Sequence, residues 1–143
     1  MIEVSEICKR LRHTLEQAKR ASVERRARLD AGTRAYENFL SDVATPVFRM
    51  FAAAVKAEGH AFILFTPAGG LRLASERSAE DYIEVFLDTD ADPPAATARV
   101  SRGRGRRLVT AERPIREDVA VEQLTDEDVV RFLLAEIPAF VER

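Results

Sequence analysis

Cysteine is almost missing from this chain. Cys8 is the only one, so no internal disulfide can form, which fits a reducing compartment. Long apolar runs are missing too, and none approaches the ~20 residues that span a bilayer. Met1-Ile2-Glu3-Val4 shows no basic segment followed by an apolar stretch, so no secretory leader is expected. These absences predict a cytoplasmic protein without membrane partners. Histidine is limited to His13 and His60, and no His/Cys cluster has ligand spacing. No Gly-x-Ser-x-Gly elbow and no phosphate-binding glycine loop occurs. The expectation is a protein that is not an enzyme and takes no metal or cofactor. Lysine supplies three of the 22 basic residues, an Arg-rich usage that points to a GC-rich bacterial genome.

What is present is globular in kind. An apolar share of 46% and a charged share of 32% are those of a folded domain, and 143 residues suffice for one domain with its own core. Charge is arranged in blocks. Residues 1–28 carry eight basic side chains against four acidic, and residues 59–94 carry two against seven. Residues 95–110 hold five Arg and no acid, and residues 111–143 hold four basic against nine acidic. Such blocks favour pairing within the fold or between copies of it.

Residues 2–44 contain no proline and a single glycine, Gly32, and read as helix. Cys8, Leu15, Ser22, Leu29, Tyr36 and Val43 recur every seven residues. Val4, Leu11, Ala18, Arg25, Gly32 and Phe39 fill the intervening register, giving a heptad seam with apolar ends and a weak middle. One reading is a continuous helix of ~60 Å at 1.5 Å per residue. The favoured reading is a hairpin or bend near Asp30-Ala31-Gly32-Thr33, with Gly32 just past the first helix and Thr33 capping the second. The charged surface around Lys9, Arg10, Arg12, Lys19, Arg20, Arg25, Arg26 and Arg28 reads as a solvated outer face with pairs such as Glu16–Lys19 and Glu16–Arg20, ahead of a nucleic-acid or lipid face. Thr45-Pro46 predicts a new helix capped by Thr45, with Val47, Phe48, Phe51, Ala54 and Val55 on one face and Gly59 at its end.

The run Ala61–Thr66 lies between Gly59 and Pro67-Ala68-Gly69-Gly70 and predicts a core strand buried on both faces. Leu71–Ser75, Asp81–Asp88, Ala95–Ser101 and Leu108–Arg113 predict four more strands by their alternation. Short glycine-bearing connections argue for antiparallel pairing. Val119–Val121 is a candidate edge strand. Thr125, with Asp128 three residues on, predicts the start of a last helix that Pro138 kinks or ends.

Arg102, Arg104, Arg106 and Arg107 alternate with Gly103 and Gly105 at a predicted hairpin tip, a flexible positive loop suited to an anionic partner. Asp88, Asp90 and Asp92 are spaced like the start of a calcium loop. Pro93 stands where the turn glycine belongs and Arg99 where the bidentate Glu belongs, so an acidic surface loop is the better reading. Asp81, Glu84 and Asp88 are candidates to share a strand face, without a pocket to work in.

The sequence therefore predicts an α+β fold: an N-terminal long helix or helical hairpin (1–58), a roughly five-stranded antiparallel meander (59–122) and a C-terminal helix (123–143). The expected function is a non-enzymatic interaction or assembly protein. It associates with itself, as a homodimer, through Val4, Ile7, Leu11, Leu15, Tyr36 and Phe39. The alternative is a nucleic-acid-binding accessory factor that uses Arg102, Arg104, Arg106 and Arg107.

Overall fold

β-branched residues are isolated between positions 4 and 39 and no proline occurs there, so nothing local opposes helical winding. In the computed structural model, which describes residues 1–142, helix α1 (Val4–Phe39) runs without a break through Gly32. This corrects the expected bend at Asp30–Thr33. Gly32 is not a terminator; it lets the ring of Pro94 come close, because a Cβ at position 32 would lie 3.0 Å from the Pro94 Cγ.

Nor does the chain restart at Thr45. Leu40–Ala44 form one π-helical turn, and helix α2 (Thr45–Ala57) follows directly. Thr45 has helical angles, φ −63° and ψ −48°, and its N–H reaches back five residues to the Leu40 carbonyl. Pro46 has no N–H to give, and its ring would collide with a carbonyl four residues back. The wide turn just upstream opens that space, so a residue read as a helix start is carried inside one long rod.

The sheet is a five-stranded antiparallel meander in the order β1 (Phe62–Phe65), β2 (Leu71–Ser75), β3 (Tyr82–Asp88), β4 (Ala95–Arg104) and β5 (Arg107–Pro114). Its register places Leu64, Leu73, Ile83, Val100 and Ala111 in one row across all five strands. That inner face, with Leu71, Val85 and Ala98, meets α2 and helix α3 (Asp126–Glu136), whose Phe48, Val129 and Leu133 are fully buried. Helix α4 (Pro138–Val141) adds Phe140, which meets Phe62 edge to face. Thr125 caps α3 in a reciprocal box with Asp128.

Three strand expectations are corrected. The run Ala61–Thr66 is not a central strand: β1 is the sheet edge, and Ile63 and Phe65 on its outer face are exposed. A meander that begins with this run leaves it one neighbour, and the helices cover only one side. β4 does not stop at Ser101 but continues through the Arg-Gly segment to Arg104. Val119–Val121 forms no strand; Val121–Gln123 is a short 3-10 turn against the end of α1.

Candidate interaction surfaces

The heptad seam has three different fates along α1. At its C-terminal end Tyr36 and Phe39 are each only 4% exposed, packed in the core beside the sheet and the 3-10 turn. The Tyr36 hydroxyl donates to the Gly69 carbonyl at 2.9 Å, and burial, followed by the charge of Glu84, pushes its pKa up to about 12. Tyr36 and Phe39 are therefore corrected out of the self-association set: they serve the chain's own core. In the middle, the loop after β3 lies along Ser22, Arg25, Arg26 and Leu29, a cleft of about 310 Å³. Pro94 sits on Gly32, and Arg28 makes a two-pronged ion pair with Asp92 at 2.8 and 2.9 Å. That pairing raises the Arg28 pKa and lowers the Asp92 pKa.

At its N-terminal end the seam is exposed. Every residue from Met1 to Ala31 is exposed. Val4, Ile7, Leu11 and Leu15 lie along one stripe and are 75%, 52%, 54% and 52% exposed. Cys8 is exposed between them. The helix thus projects beyond the sheet with an apolar stripe flanked by Lys9, Arg12 and Lys19.

The arginine hairpin is built into the sheet, with β4 and β5 paired out to Arg104 and Arg107. Arg104 and Arg107 pair across a two-residue turn, with Gly105 at φ +61° in the position where a type II′ turn wants glycine. The Gly103 N–H donates to the buried Asp81 carboxylate at 2.8 Å, and the Ser101 hydroxyl donates to the Glu80 carbonyl at 2.8 Å. The four arginines divide. Arg102 is half-buried on the inner face and donates to the Ala139 carbonyl at 3.4 Å. Arg104, Arg106 and Arg107 are exposed together at the tip, and among the described residues no carboxylate forms an ion pair with them.

The carboxylates do not gather. Asp81 holds the Gly103 amide, Glu84 takes Arg72 at 3.2 Å and Arg99 at 3.7 Å, and Asp88 accepts the Asp90 N–H at 3.0 Å. Among the described residues no three His, Cys, Asp or Glu side chains are grouped to hold a metal ion, and no helix is long and apolar enough to cross a membrane.

Strand register creates one further feature on the outer face of the sheet. Across the outer sheet face Arg72, Glu84, Arg99 and Glu112 stand in a single row of alternating charge on β2 to β5. Arg72 stacks over Tyr82 at 4.0 Å and Arg99 over Phe86 at 5.1 Å, which accounts for the half-buried Phe86 on a face that no helix covers. Beside the row, Ile63, Phe65, Pro67 and Ala74 line a shallow groove of about 800 Å³. The alternating signs were visible in the sequence, but the strand register that aligns them was not.

No protein-family model, curated protein or solved structure matches the chain.

Proposed function

We propose that this is a non-enzymatic assembly protein, acting in the bacterial cytoplasm, that associates with a second copy of itself through the free first half of α1. The observation that carries this reading is the exposed stripe Val4, Ile7, Leu11 and Leu15 on the first half of α1, where every residue is exposed. A solitary helical segment of this length is marginal in water and gains most of its stability from packing an apolar face. Burying a Val, Leu or Ile side chain fully stabilises by about 1.5–3 kcal/mol, so even the half-exposed members of the stripe favour association. The test is the mass in solution across a range of concentrations. The natural chain is expected at a multiple of 16.0 kDa. The double variant Leu11→Asp, Leu15→Asp is expected at the monomer mass. An unchanged mass for the variant removes the stripe as the interface.

A second reading is favoured by the exposed cluster Arg104, Arg106 and Arg107, with which no carboxylate among the described residues forms an ion pair. It makes the hairpin a docking point for nucleic acid. It requires binding that weakens steeply with added salt and disappears when the three are replaced by Gln.

A further inference from the structure

The far edge of the sheet is open. β5 pairs with β4 alone, in a register that runs without a bulge from Arg107 to Pro114. One step beyond the Thr97–Pro114 pair, the Ile115 N–H donates to the Ala96 carbonyl, and this sets the phase of the ladder. Val109, Ala111 and Arg113 therefore bond to β4, while Leu108, Thr110 and Glu112 turn their N–H and C=O groups outward. Pro114 falls on the outward phase, where its missing N–H leaves the ladder intact. Among the described residues no other backbone group bonds to the outward groups of Leu108, Thr110 or Glu112. Folded proteins guard such an edge with a bulge, a covering element or charges along its middle. Here the middle, Leu108 to Ala111, is uncharged, and every residue from Arg107 to Thr110 is exposed.

Charge is graded along this edge. At its start Arg106 and Arg107 are exposed, and among the described residues no carboxylate forms an ion pair with them. Arg104 is set apart, because it lines a hollow shared with Asp81 and Glu142. At the far end Glu112 accepts both Arg99 bonds on Oε1, and Oε2 accepts none. We infer that β5 is a docking edge for an extended acidic segment of another protein, which adds antiparallel as a sixth strand and brings its carboxylates to Arg106 and Arg107. The ligand backbone bonds to Leu108, Thr110 and Glu112, and its apolar side chains meet the exposed Leu108 and Val109. Its residue opposite Arg107 is an Asp or Glu, at the close spacing of a pair not joined by hydrogen bonds. A basic residue fits opposite Glu112.

Nucleic acid, the second reading above, would use the same arginines, and the free edge beside them separates the two. A phosphate accepts from an outward N–H but is repelled by the outward carbonyls and by the Glu112 carboxylate. A strand satisfies donors and acceptors alike. β5 also carries no aromatic side chain on which a base could stack. The edge is distinct from the α1 stripe, so the proposal does not depend on self-association.

The probe is the peptide Lys-Val-Thr-Val-Val-Glu-Glu, labelled with fluorescein at its N-terminus and titrated with the full-length chain by fluorescence anisotropy. Laid antiparallel, it sets Lys opposite Glu112 and the two Glu opposite Arg107 and Arg106. Saturable binding is expected. N-methylation of its third and fifth residues removes the N–H groups aimed at Thr110 and Leu108, and is expected to weaken binding at least tenfold. The same loss is expected when Lys replaces both Glu of the peptide, and in the Arg106→Gln, Arg107→Gln chain. Thr110→Pro removes an outward N–H without touching the β4 ladder, and should match the N-methylated peptide. Should that variant unfold, the N-methylated peptide gives the same reading on the natural chain. Equal binding of the N-methylated and plain peptides overturns strand pairing, and no saturable binding of the plain peptide overturns the docking edge. A duplex oligonucleotide that displaces the peptide at lower concentration overturns the proposal in favour of nucleic acid. A natural chain whose mass falls on Thr110→Pro overturns it in favour of a second copy on the same edge.

Discussion

The Pro94 ring fills the place that a side chain at position 32 would occupy, with its Cγ, Cδ and Cβ at 3.0, 3.1 and 3.2 Å from the Cβ that glycine lacks. Helix and loop are joined by that contact and by the Arg28–Asp92 pair one turn away. An Ala at position 32 gains helix propensity of about 1 kcal/mol and loses part of it in displacing the ring. Gly32→Ala is therefore expected to be close to neutral in urea unfolding. Gly32→Leu overfills the contact and is expected to cost about 1–3 kcal/mol. Equal stability of the two variants would show that the loop does not press on the helix.

Tyr36 anchors the core end of α1 to the β1–β2 turn. Tyr36→Phe leaves the Gly69 carbonyl without its donor, and a loss of about 1 kcal/mol is expected. The pH dependence follows from the raised pKa. An unfolded Tyr loses its proton near pH 10, whereas folded Tyr36 keeps it until about 12. The unfolded state therefore binds fewer protons in this window, and stability falls as pH rises through it. Unfolding followed from pH 9 to 12 should show that fall in the natural chain and a flatter limb in Tyr36→Phe.

Asp128 gives the opposite limb. The Thr125 backbone N–H, then the Thr125 hydroxyl and Arg116, hold its carboxyl below the ordinary value of 3.8. Its contribution is present above that value and is lost as pH falls through the lower folded pKa. Asp128→Ala is expected to cost about 1 kcal/mol at neutral pH through loss of the cap. Asp128→Asn is expected to flatten the acid limb of the stability profile below about pH 4. An acid limb that stays steep in the Asn variant would assign it to other carboxylates.

Glu84 lies between two arginines of the outer row, and its side chain is 14% exposed. Glu84→Ala leaves Arg72 and Arg99 facing each other with no anion between them. A loss of about 1–3 kcal/mol is expected, as for a charge-assisted bond removed from a partly buried site. Restoring Glu by replacing Ala should recover it, and a double-mutant cycle of Arg72→Ala with Glu84→Ala should give a coupling of at least 0.5 kcal/mol. Additive effects would mean that the row is held by its aromatic stacking instead.

The free half of α1 should also report on itself by circular dichroism. Without a partner the segment from Val4 to about Ser22 frays, because few contacts outlast its own backbone hydrogen bonds. Helicity of the natural chain is expected to fall on dilution, in step with its mass. The Leu11→Asp, Leu15→Asp chain should begin at the lower value and show no dependence on concentration.

The strands were legible because alternation of Ile83, Val85 and Leu87 with Tyr82, Glu84 and Phe86 is a local property, and so was the Thr125–Asp128 cap. What was not legible depended on distant partners. Gly32 has the same helix cost whether the chain ends there or Pro94 arrives from across the molecule. Thr45-Pro46 carries a start signal that a wide turn one residue earlier overrides. Heptad spacing predicts one continuous interface because spacing alone does not tell a partner's side chains from the chain's own. The structure separates Val4 and Leu11, in solvent, from Tyr36 and Phe39, in the core. The Arg-Gly run looked like a free tip because its anchor, the Asp81 carboxylate on Gly103, lies a strand away.

The five-residue turn at Leu40–Ala44 is also the clocking pin of the molecule. Each residue advances a helix by about 100°. Winding all five residues there as ordinary helix, with no wide turn to absorb the extra one, would swing the whole upstream rod by about that angle about its own axis. Val4, Leu11 and Leu15 would keep their order and spacing yet point along another compass bearing from the globular body. A change of winding far from the stripe would thus re-aim it without altering any of its side chains.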